Sequence, residues 1–204
     1  MNILPNSVKE MIEVLSDISG IGPKTAERIA LFIITSKSDI ISRLSNVIEK
    51  LKNEVKVCSE CGMVSDTDPC VVCSSLERNR KVICVVEKPS DVLVIEKTEQ
   101  YDGLYHVLGG VISPLDGVGP GDLPINKLID RIKKLEVEEV FFALDPDSEG
   151  EITTSYIVSL IRKSAIDVKI TSVAKGVPLG GNIEYSDTLT LSRAIKNRSI
   201  IDSY

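Results

Sequence analysis

Four of the five cysteines in the chain follow the pattern C-x2-C-x8-C-x2-C: Cys58, Cys61, Cys70 and Cys73. Each C-x2-C pair can present two thiolates on one turn, and two such pairs complete a tetrahedral site of four sulfurs. Four soft thiolates that leave no open coordination position favour a zinc ion held for structure. A redox dithiol would account for one pair but not for the second. We therefore predict one structural zinc ion per chain, and we expect Cys84 to be a small buried hydrophobe.

A glycine-rich turn lies between two stretches of helical periodicity, at residues 18–26 (Ile-Ser-Gly-Ile-Gly-Pro-Lys-Thr-Ala). Its glycines permit a tight turn and a close approach of the backbone to a ligand. The second helix would present free N–H groups at its start, where a DNA phosphate can bind. The basic residues after the turn are four apart and share one helix face. We predict a helix-hairpin-helix motif that contacts the DNA backbone, without reading base sequence, through Gly20, Ile21, Gly22, Lys24 and Arg28.

This turn has two other interpretations. A nucleotide-binding P-loop also contains Gly-Lys-Thr, but here Pro23 separates Gly22 from Lys24 and the upstream glycine spacing differs. A plain turn between two helices, with no ligand, is the simpler alternative.

Acidic side chains directly follow two predicted strands. Glu87 follows the first strand, and Asp145, Asp147, Glu149 and Glu151 follow a later one. Because the carboxyl ends of parallel strands meet at one edge of a sheet, these carboxylates are expected to converge there. Carboxylate oxygens are ligands that Mg²⁺ prefers, so this edge is a candidate magnesium site. Alternatively, the acidic residues simply begin a helix, where the helix dipole favours negative charge.

The pattern of apolar residues divides the chain into four segments. We predict a helical module at 1–57, a Cys-rich insert at 58–81, an α/β domain at 82–175 and a C-terminal Gly/Pro loop and helix at 176–204. Within the first segment, an apolar stripe at 40–55 can be either core or an assembly surface.

Short β-branched runs alternate with helical stretches in the third segment, which is typical of a parallel sheet covered by helices. We expect strands at 82–86, 105–108, 140–144 and 168–174, and helices at 89–97, 126–135 and 149–163. A last helix is predicted at 187–196, with Asp187 as its N-cap. His106, the only histidine, lies in a predicted strand and is expected to be structural, so triad chemistry has no support.

Charge is distributed unevenly along the chain, whose formal net charge is −6. Residues 82–175 carry 10 basic and 16 acidic side chains, whereas residues 1–57 carry 8 and 7. This balance excludes a globally basic nucleic-acid binder and requires any phosphate binding to come from a local patch. Neither a signal peptide nor an apolar run long enough to span a bilayer is evident, so we expect a cytoplasmic protein.

The order of these features resembles that of the bacterial RecR family of recombination mediators. The resemblance covers nearly all of the chain and includes the Toprim pattern, a Glu after the first strand and an Asp-x-Asp after a later one. The stretches that carry it are 15–26, the four cysteines, 85–92 (Val-Val-Glu-Lys-Pro-Ser-Asp-Val), 105–110, 112–117 and 176–181 (Gly-Val-Pro-Leu-Gly-Gly).

The resemblance implies a role in recombinational DNA repair without catalysis by this chain. RecR proteins act with RecO and RecF to load RecA onto single-stranded DNA coated by single-strand-binding protein. They form dimers or ring-shaped tetramers that can encircle single- or double-stranded DNA, and the C-terminal segment is expected to serve assembly. The resemblance assigns DNA contacts to Lys24 and Arg28. It assigns RecO docking to the acidic set Glu87, Asp145, Asp147, Glu149 and Glu151.

One departure from the family pattern concerns the acidic loop. Many RecR sequences carry Asn-Pro where this chain has Asp145-Pro146-Asp147. The chain therefore retains the full acidic set of catalytic Toprim enzymes, and an Mg²⁺-dependent nuclease that uses Glu87, Asp145 and Asp147 is the alternative function. A zinc-ribbon adaptor that binds only protein is a weaker third hypothesis.

Overall fold

A computed structural model describes residues 3–36 and 39–198. Residues 199–204, the end of the predicted C-terminal segment, lie outside the described part of the chain. The chain divides into two compact units, Met1–Val55 and Lys56–Tyr204. The first is helical and the second contains a parallel sheet, which confirms the predicted α/β class.

Three helices form the first unit: α1 (Asn6–Ser16), α2 (Pro23–Thr35) and α3 (Ile40–Glu54). Pro23 occupies the first turn of α2, where a missing N–H leaves no hydrogen bond unmade. The buried side chains of this unit come from α1 and α2: Val8, Ala26, Ala30 and Ile33. The small side chains of Ala26 and Ala30 allow the two helices to pack closely.

Helix α3 contributes no buried residue to this unit. Its apolar residues form a stripe with the 3-4 spacing of a coiled-coil seam, at positions 41, 44, 48, 51 and 55. Ile48 and Leu51 in this stripe remain 62% and 56% exposed. The stripe is therefore an uncovered surface of the described chain rather than part of the core of its own unit.

The second unit begins with a small Cys-rich finger. Strands β1 (Lys56–Val57) and β2 (Val64–Ser65) pair antiparallel, and a single helical turn, α4 (Val71–Ser74), follows. The sequence predicts that positions 56 and 57 belong to the helical module. In the structure they belong to the second unit because they pair with β2.

Four parallel strands form the central sheet of the second unit, in the order β4-β3-β5-β6. They are β3 (Asn79–Val86), β4 (Gly103–Val107), β5 (Glu139–Ala143) and β6 (Lys169–Ser172). Val86 is in register with both Val107 and Ala143, so the carboxyl ends of three strands are level. Strand β3 begins three residues before the predicted start because the Asn79 amide donates to the Asp102 carbonyl oxygen at 2.9 Å.

Helices cover both faces of this sheet. Helices α6 (Ile125–Leu135) and α7 (Ser148–Lys163) contribute to one core, which includes Ile83 and Val85 of β3. Helix α5 (Pro89–Glu96) contributes to the other, which includes Cys84 and Val86. Cys84 is fully buried, and this burial raises the pKa of its thiol to about 12.

The chain ends, within its described part, in a 3-10 turn (Ile183–Tyr185) and helix α8 (Thr188–Lys196). Asp187 caps α8 by accepting a hydrogen bond from the Thr190 amide at 2.9 Å, as predicted. None of the helices in residues 3–36 and 39–198 has the length and apolar character needed to cross a membrane.

Candidate functional site

The four predicted ligands lie together in the finger. The sulfurs of Cys58, Cys61, Cys70 and Cys73 lie within 4.8 Å of one another, and all four residues are buried. The Cys61 and Cys70 sulfurs are 3.6 Å apart. A Zn–S bond of about 2.3 Å in a tetrahedron requires a sulfur separation of about 3.8 Å. The geometry therefore fits a zinc ion held by four protein thiolates.

Hydrogen bonds from backbone amides and the balance of charge also support a cation bound by these four sulfurs. The Cys70 amide donates to the Cys58 sulfur at 3.3 Å, and the Met63 amide donates to the Cys61 sulfur at 3.5 Å. A hydrogen bond from Cys73 lowers the pKa of Cys61 to about 5, and the same bond raises the pKa of Cys73. Because adjacent thiolates repel one another, all four can ionise together only around a cation.

The finger lies against the edge strand β4. The Val107 amide donates to the Cys61 carbonyl oxygen at 2.7 Å. Gly62 adopts a φ of +82°, and a Cβ there would lie 2.9 Å from the Val107 carbonyl oxygen, so a side chain is excluded on both grounds. The metal site thus supports the strand that would otherwise be an open edge of the sheet.

The glycine hairpin has the geometry of a backbone-anion site. Gly20 adopts a φ of +86°, and the Ile21 amide closes the turn on the Ile18 carbonyl oxygen at 3.0 Å. The Gly22 carbonyl oxygen accepts from the Thr25 and Ala26 amides. Within the described residues, the amides of Gly22 and Lys24 have no hydrogen-bond partner. Such free donors at a helix start favour an anion.

The surroundings of these amides are open and basic. A Cβ placed at Gly20 or Gly22 would meet no atom within 4 Å, so a ligand backbone can come close. Lys24 and Arg28 are both exposed on α2. The hairpin therefore combines free N–H donors with two cations on one helix face.

The acidic residues lie at the carboxyl edge of the sheet, as expected from the parallel topology. Glu87 directly follows β3, and Asp145 comes two residues after the neighbouring strand β5. Asp147 caps α7 by accepting from the Gly150 amide at 2.8 Å. A Cβ at Gly150 would collide with the Asp145 carbonyl oxygen, so this close turn requires glycine.

Several of these carboxylates are already engaged within the chain. The Glu87 carboxylate pairs with the Lys88 ammonium at 2.8 Å. The Glu151 carboxylate pairs with Lys175 at 2.9 Å and with Arg193 of α8 at 2.7 Å. The hydrogen bond from Lys175 lowers the pKa of Glu151, and the charge of Arg193 contributes less.

Unlike Glu87, Asp147 and Glu151, the acidic residues Asp145 and Glu149 are not engaged by other described side chains or amides. Their carboxylates have no hydrogen bond or ion pair with any described residue. Across residues 3–36 and 39–198, only the four cysteines form a group of three or more metal-type ligands close enough to share an ion. The structure therefore places the acidic residues at one edge but does not draw them into a comparable cluster.

Two features of the second unit were not predicted from the sequence. One is a cavity of about 900 Å³, lined by residues of α5, α7 and α8 and by the ends of β5 and β6. Only the fold brings these elements together. The other is Arg131, a buried charge on the apolar face of α6. A charged residue at a core position of an amphipathic helix is a signal that the sequence did contain.

His106 lies buried in β4, with its Nε2 atom 3.1 Å from the Pro124 carbonyl oxygen. Burial lowers its pKa to about 4, so the imidazole is neutral near pH 7. It lies among core residues rather than beside the acidic edge.

Comparison with known families and proteins agrees with these features. Models of the RecR helix-hairpin-helix, the RecR four-cysteine zinc finger, the Toprim domain and the RecR C-terminal region match residues 8–52, 55–75, 81–174 and 176–199. The chain is 48% identical to recombination protein RecR of Tropheryma whipplei (strain TW08/27), covering 96% of this chain and 98% of that protein. It is 45% identical to recombination protein RecR of Bifidobacterium adolescentis, with 96% of each chain covered. The prediction of a four-cysteine zinc site is confirmed.

Replacing one zinc ligand tests the site directly. Cys70→Ser should lower zinc affinity more than about 100-fold, since even changes beyond the ligands themselves cost roughly 10–100-fold. It should also lower the melting temperature of the second unit, because the finger supports β4. Zinc content after gel filtration and thermal unfolding by circular dichroism measure both effects.

The matched control is Cys84→Ala, which removes the fifth thiol from the sheet core. It should retain one zinc ion per chain. Stoichiometric zinc in Cys70→Ser at wild-type affinity would remove this cysteine from the site.

Proposed function

Because the chain belongs to the RecR family of recombination proteins, we propose that it is a DNA-binding recombination mediator in recombinational DNA repair. In this role it acts with RecO and RecF to load RecA onto single-stranded DNA coated by single-strand-binding protein. The chain itself carries out no chemistry on DNA. The observation that carries the proposal is the hairpin, where free amides at the start of α2 lie beside two exposed basic residues.

The hairpin supports binding to phosphate rather than to bases. Backbone amides at a helix start recognise a phosphate oxygen, and the Lys24 and Arg28 cations extend the contact along the strand. Contacts of this kind are the same for every base sequence. Binding is therefore sequence-independent and weakens as salt concentration rises.

A single hairpin with two cations binds DNA weakly, and assembly increases the avidity. The exposed 3-4 stripe of α3 supports assembly, because an apolar seam of this spacing is suited to packing against another helix. We assign this stripe to a contact between copies of the chain in a dimer or a ring-shaped tetramer.

The acidic edge of the Toprim domain is the proposed docking surface for RecO. Asp145 and Glu149 are its available carboxylates, since Glu151 is neutralised by Lys175 and Arg193. The cavity of about 900 Å³ opens beside Asp145 and adds apolar surface from Val94 and Leu189. An acidic edge next to an apolar cavity suits a partner with a basic and apolar contact surface.

The alternative function is an Mg²⁺-dependent nuclease that uses Glu87, Asp145 and Asp147. The retained Asp-x-Asp sequence favours it, because two-metal phosphoryl transfer requires closely placed carboxylates. The arrangement of these residues gives it less support. Asp147 is bound to the Gly150 amide and Glu87 to Lys88, and the group is not gathered like the four cysteines.

Charge reversal in the hairpin tests DNA binding. The double variant Lys24→Glu, Arg28→Glu should weaken binding to single-stranded and gapped duplex DNA at least about tenfold at moderate salt. Removing two phosphate contacts should also reduce the salt slope by roughly 1.4 on single strands. Fluorescence anisotropy at several salt concentrations measures both quantities.

The matched control is Arg43→Glu, Lys50→Glu, which makes the same charge change on the face of α3 away from its apolar stripe. It should bind more tightly than the hairpin variant. Equal losses of affinity in the two variants would show that net charge alone accounts for the effect. Unchanged affinity in the hairpin variant would show that the hairpin does not bind DNA. No binding by the wild-type chain at any salt would favour the protein-only adaptor.

Incubation of end-labelled DNA with Mg²⁺ or EDTA separates the mediator from the nuclease. We expect shifted but full-length DNA with both the wild type and Asp145→Asn, since the carboxylate would have no catalytic role. Denaturing gels report the length of the strand. Shortened DNA that requires both Mg²⁺ and Asp145 would establish the nuclease in place of the mediator.

Charge reversal at the acidic edge tests docking. Glu149→Lys should weaken the complex with the RecO protein of the same organism by roughly tenfold, because it places a like charge against a basic surface. Isothermal titration calorimetry measures the affinity. Asp167→Lys, an exposed reversal just before β6 at the opposite edge of the sheet, should bind as the wild type does. Wild-type affinity in Glu149→Lys would count against this docking surface.

A further inference from the structure

The guanidinium of Arg131 lies in the protein interior. The residue is 4% exposed and belongs to the buried face of α6, beside Leu128 and Ile132. An ionised group in such a place is costly unless an opposite charge and hydrogen bonds compensate it. A compensating charge must therefore lie within its reach.

The contacts of Arg131 lead to the metal centre. Its Nη2 donates to the Cys73 sulfur at 3.3 Å, and its Nη1 donates to the Tyr105 carbonyl oxygen of β4. Its Nε has no hydrogen-bond partner among the described residues. One side chain thus joins a zinc ligand to the backbone of the edge strand.

The nearest carboxylate is a poor counter-charge. A Glu60 oxygen lies 3.8 Å from the Arg131 Nε, and the other oxygen lies 3.6 Å from the Lys134 ammonium. The Glu60 side chain is also 38% exposed, so water screens it. Because Glu60 is shared with Lys134 and is partly exposed to water, it does not balance the charge of the buried Arg131 guanidinium.

The zinc centre supplies the missing charge. Four thiolates around a divalent zinc ion carry a formal charge of about −2. Hydrogen bonds from a cation to a thiolate are charge-assisted and stronger than neutral ones. The buried cation and the buried anionic centre therefore compensate each other across the Arg131–Cys73 contact.

We propose that Arg131 is a positioning residue of the zinc centre: it offsets part of the tetrathiolate charge, orients Cys73 and couples zinc occupancy to strand β4. Partners beyond the ligands commonly tune metal affinity about 10–100-fold. By stabilising the negative charge of the zinc-bound Cys73 sulfur, the guanidinium slows zinc release. The same hydrogen bond makes this thiolate a weaker nucleophile.

Arg80 offers a matched control, because it contacts the same residue without touching the sulfur. Its Nη1 donates to the Cys73 carbonyl oxygen at 3.3 Å, and its side chain is exposed. Arg80→Gln and Arg131→Gln therefore remove the same charge near the same cysteine. Only the second removes the hydrogen bond to the thiolate.

The experiment uses the full chain loaded with zinc or with cobalt. Transfer of zinc to an excess of a chelating dye should be at least about tenfold faster in Arg131→Gln. In the Co²⁺-loaded protein, its thiolate-to-metal charge-transfer band should move to lower energy, because the sulfur lone pair loses a stabilising donor. Arg80→Gln should match the wild type in both measurements. A role confined to packing would alter the melting temperature but not this band.

Arg131→Lys keeps the inference testable if Arg131→Gln does not fold. Lysine retains the positive charge but not the planar set of N–H donors. The charge-transfer band of the Co²⁺-loaded variant should therefore move in the same direction by a smaller amount. Its far-UV circular dichroism should be that of the wild type. A wild-type band in Arg131→Lys, a wild-type transfer rate in Arg131→Gln, or an equal change in Arg80→Gln would each overturn the proposal.

Discussion

Parallel pairing of four short strands is the constraint on which the second unit depends. Each parallel connection must return along the sheet, which places helices α5, α6 and α7 over its faces. The same pairing brings the strand ends after β3 and β5 to one edge, where the acidic residues collect. It also leaves β4 as an outer strand, and the zinc finger covers it through the hydrogen bond from Val107 to Cys61.

The metal centre is therefore joined to the sheet rather than appended to it. The finger has almost no apolar core of its own, and its four cysteines form the buried cluster that holds it together. Its contacts with β4 and α6 run through Gly62, where a side chain would collide, and through Arg131, whose charge needs the anionic centre. Loss of zinc would thus destabilise the edge strand β4 as well as the finger.

Charge separates the two proposed binding functions. The hairpin offers unpaired amides and two cations in a unit with little net charge, whereas the acidic excess lies in the Toprim domain. Under the proposed function, this separation would let one chain bind DNA with one surface and a basic partner protein with another. The pairing of Glu151 with Lys175 and Arg193 reduces the acidic set that a partner can reach, and it joins α8 to α7.

Features that depend on local spacing were predictable from the amino-acid sequence. The C-x2-C pairs, the Gly-x-Gly turn before α2, the Asp187 cap and the alternation of strands with helices all depend on residues close together in the chain, so pattern was sufficient. Features that depend on distant residues became visible only in the folded chain: the start of β3 at Asn79, the ion pair of Glu151 with α8 and the exposure of the α3 stripe. The proposed role of Arg131 is one of these features, because the sequence shows only a charge on an apolar helix face. The fold places a sulfur 58 positions away within hydrogen-bonding distance of it. Local propensity cannot supply such contacts, because they follow from how the elements pack.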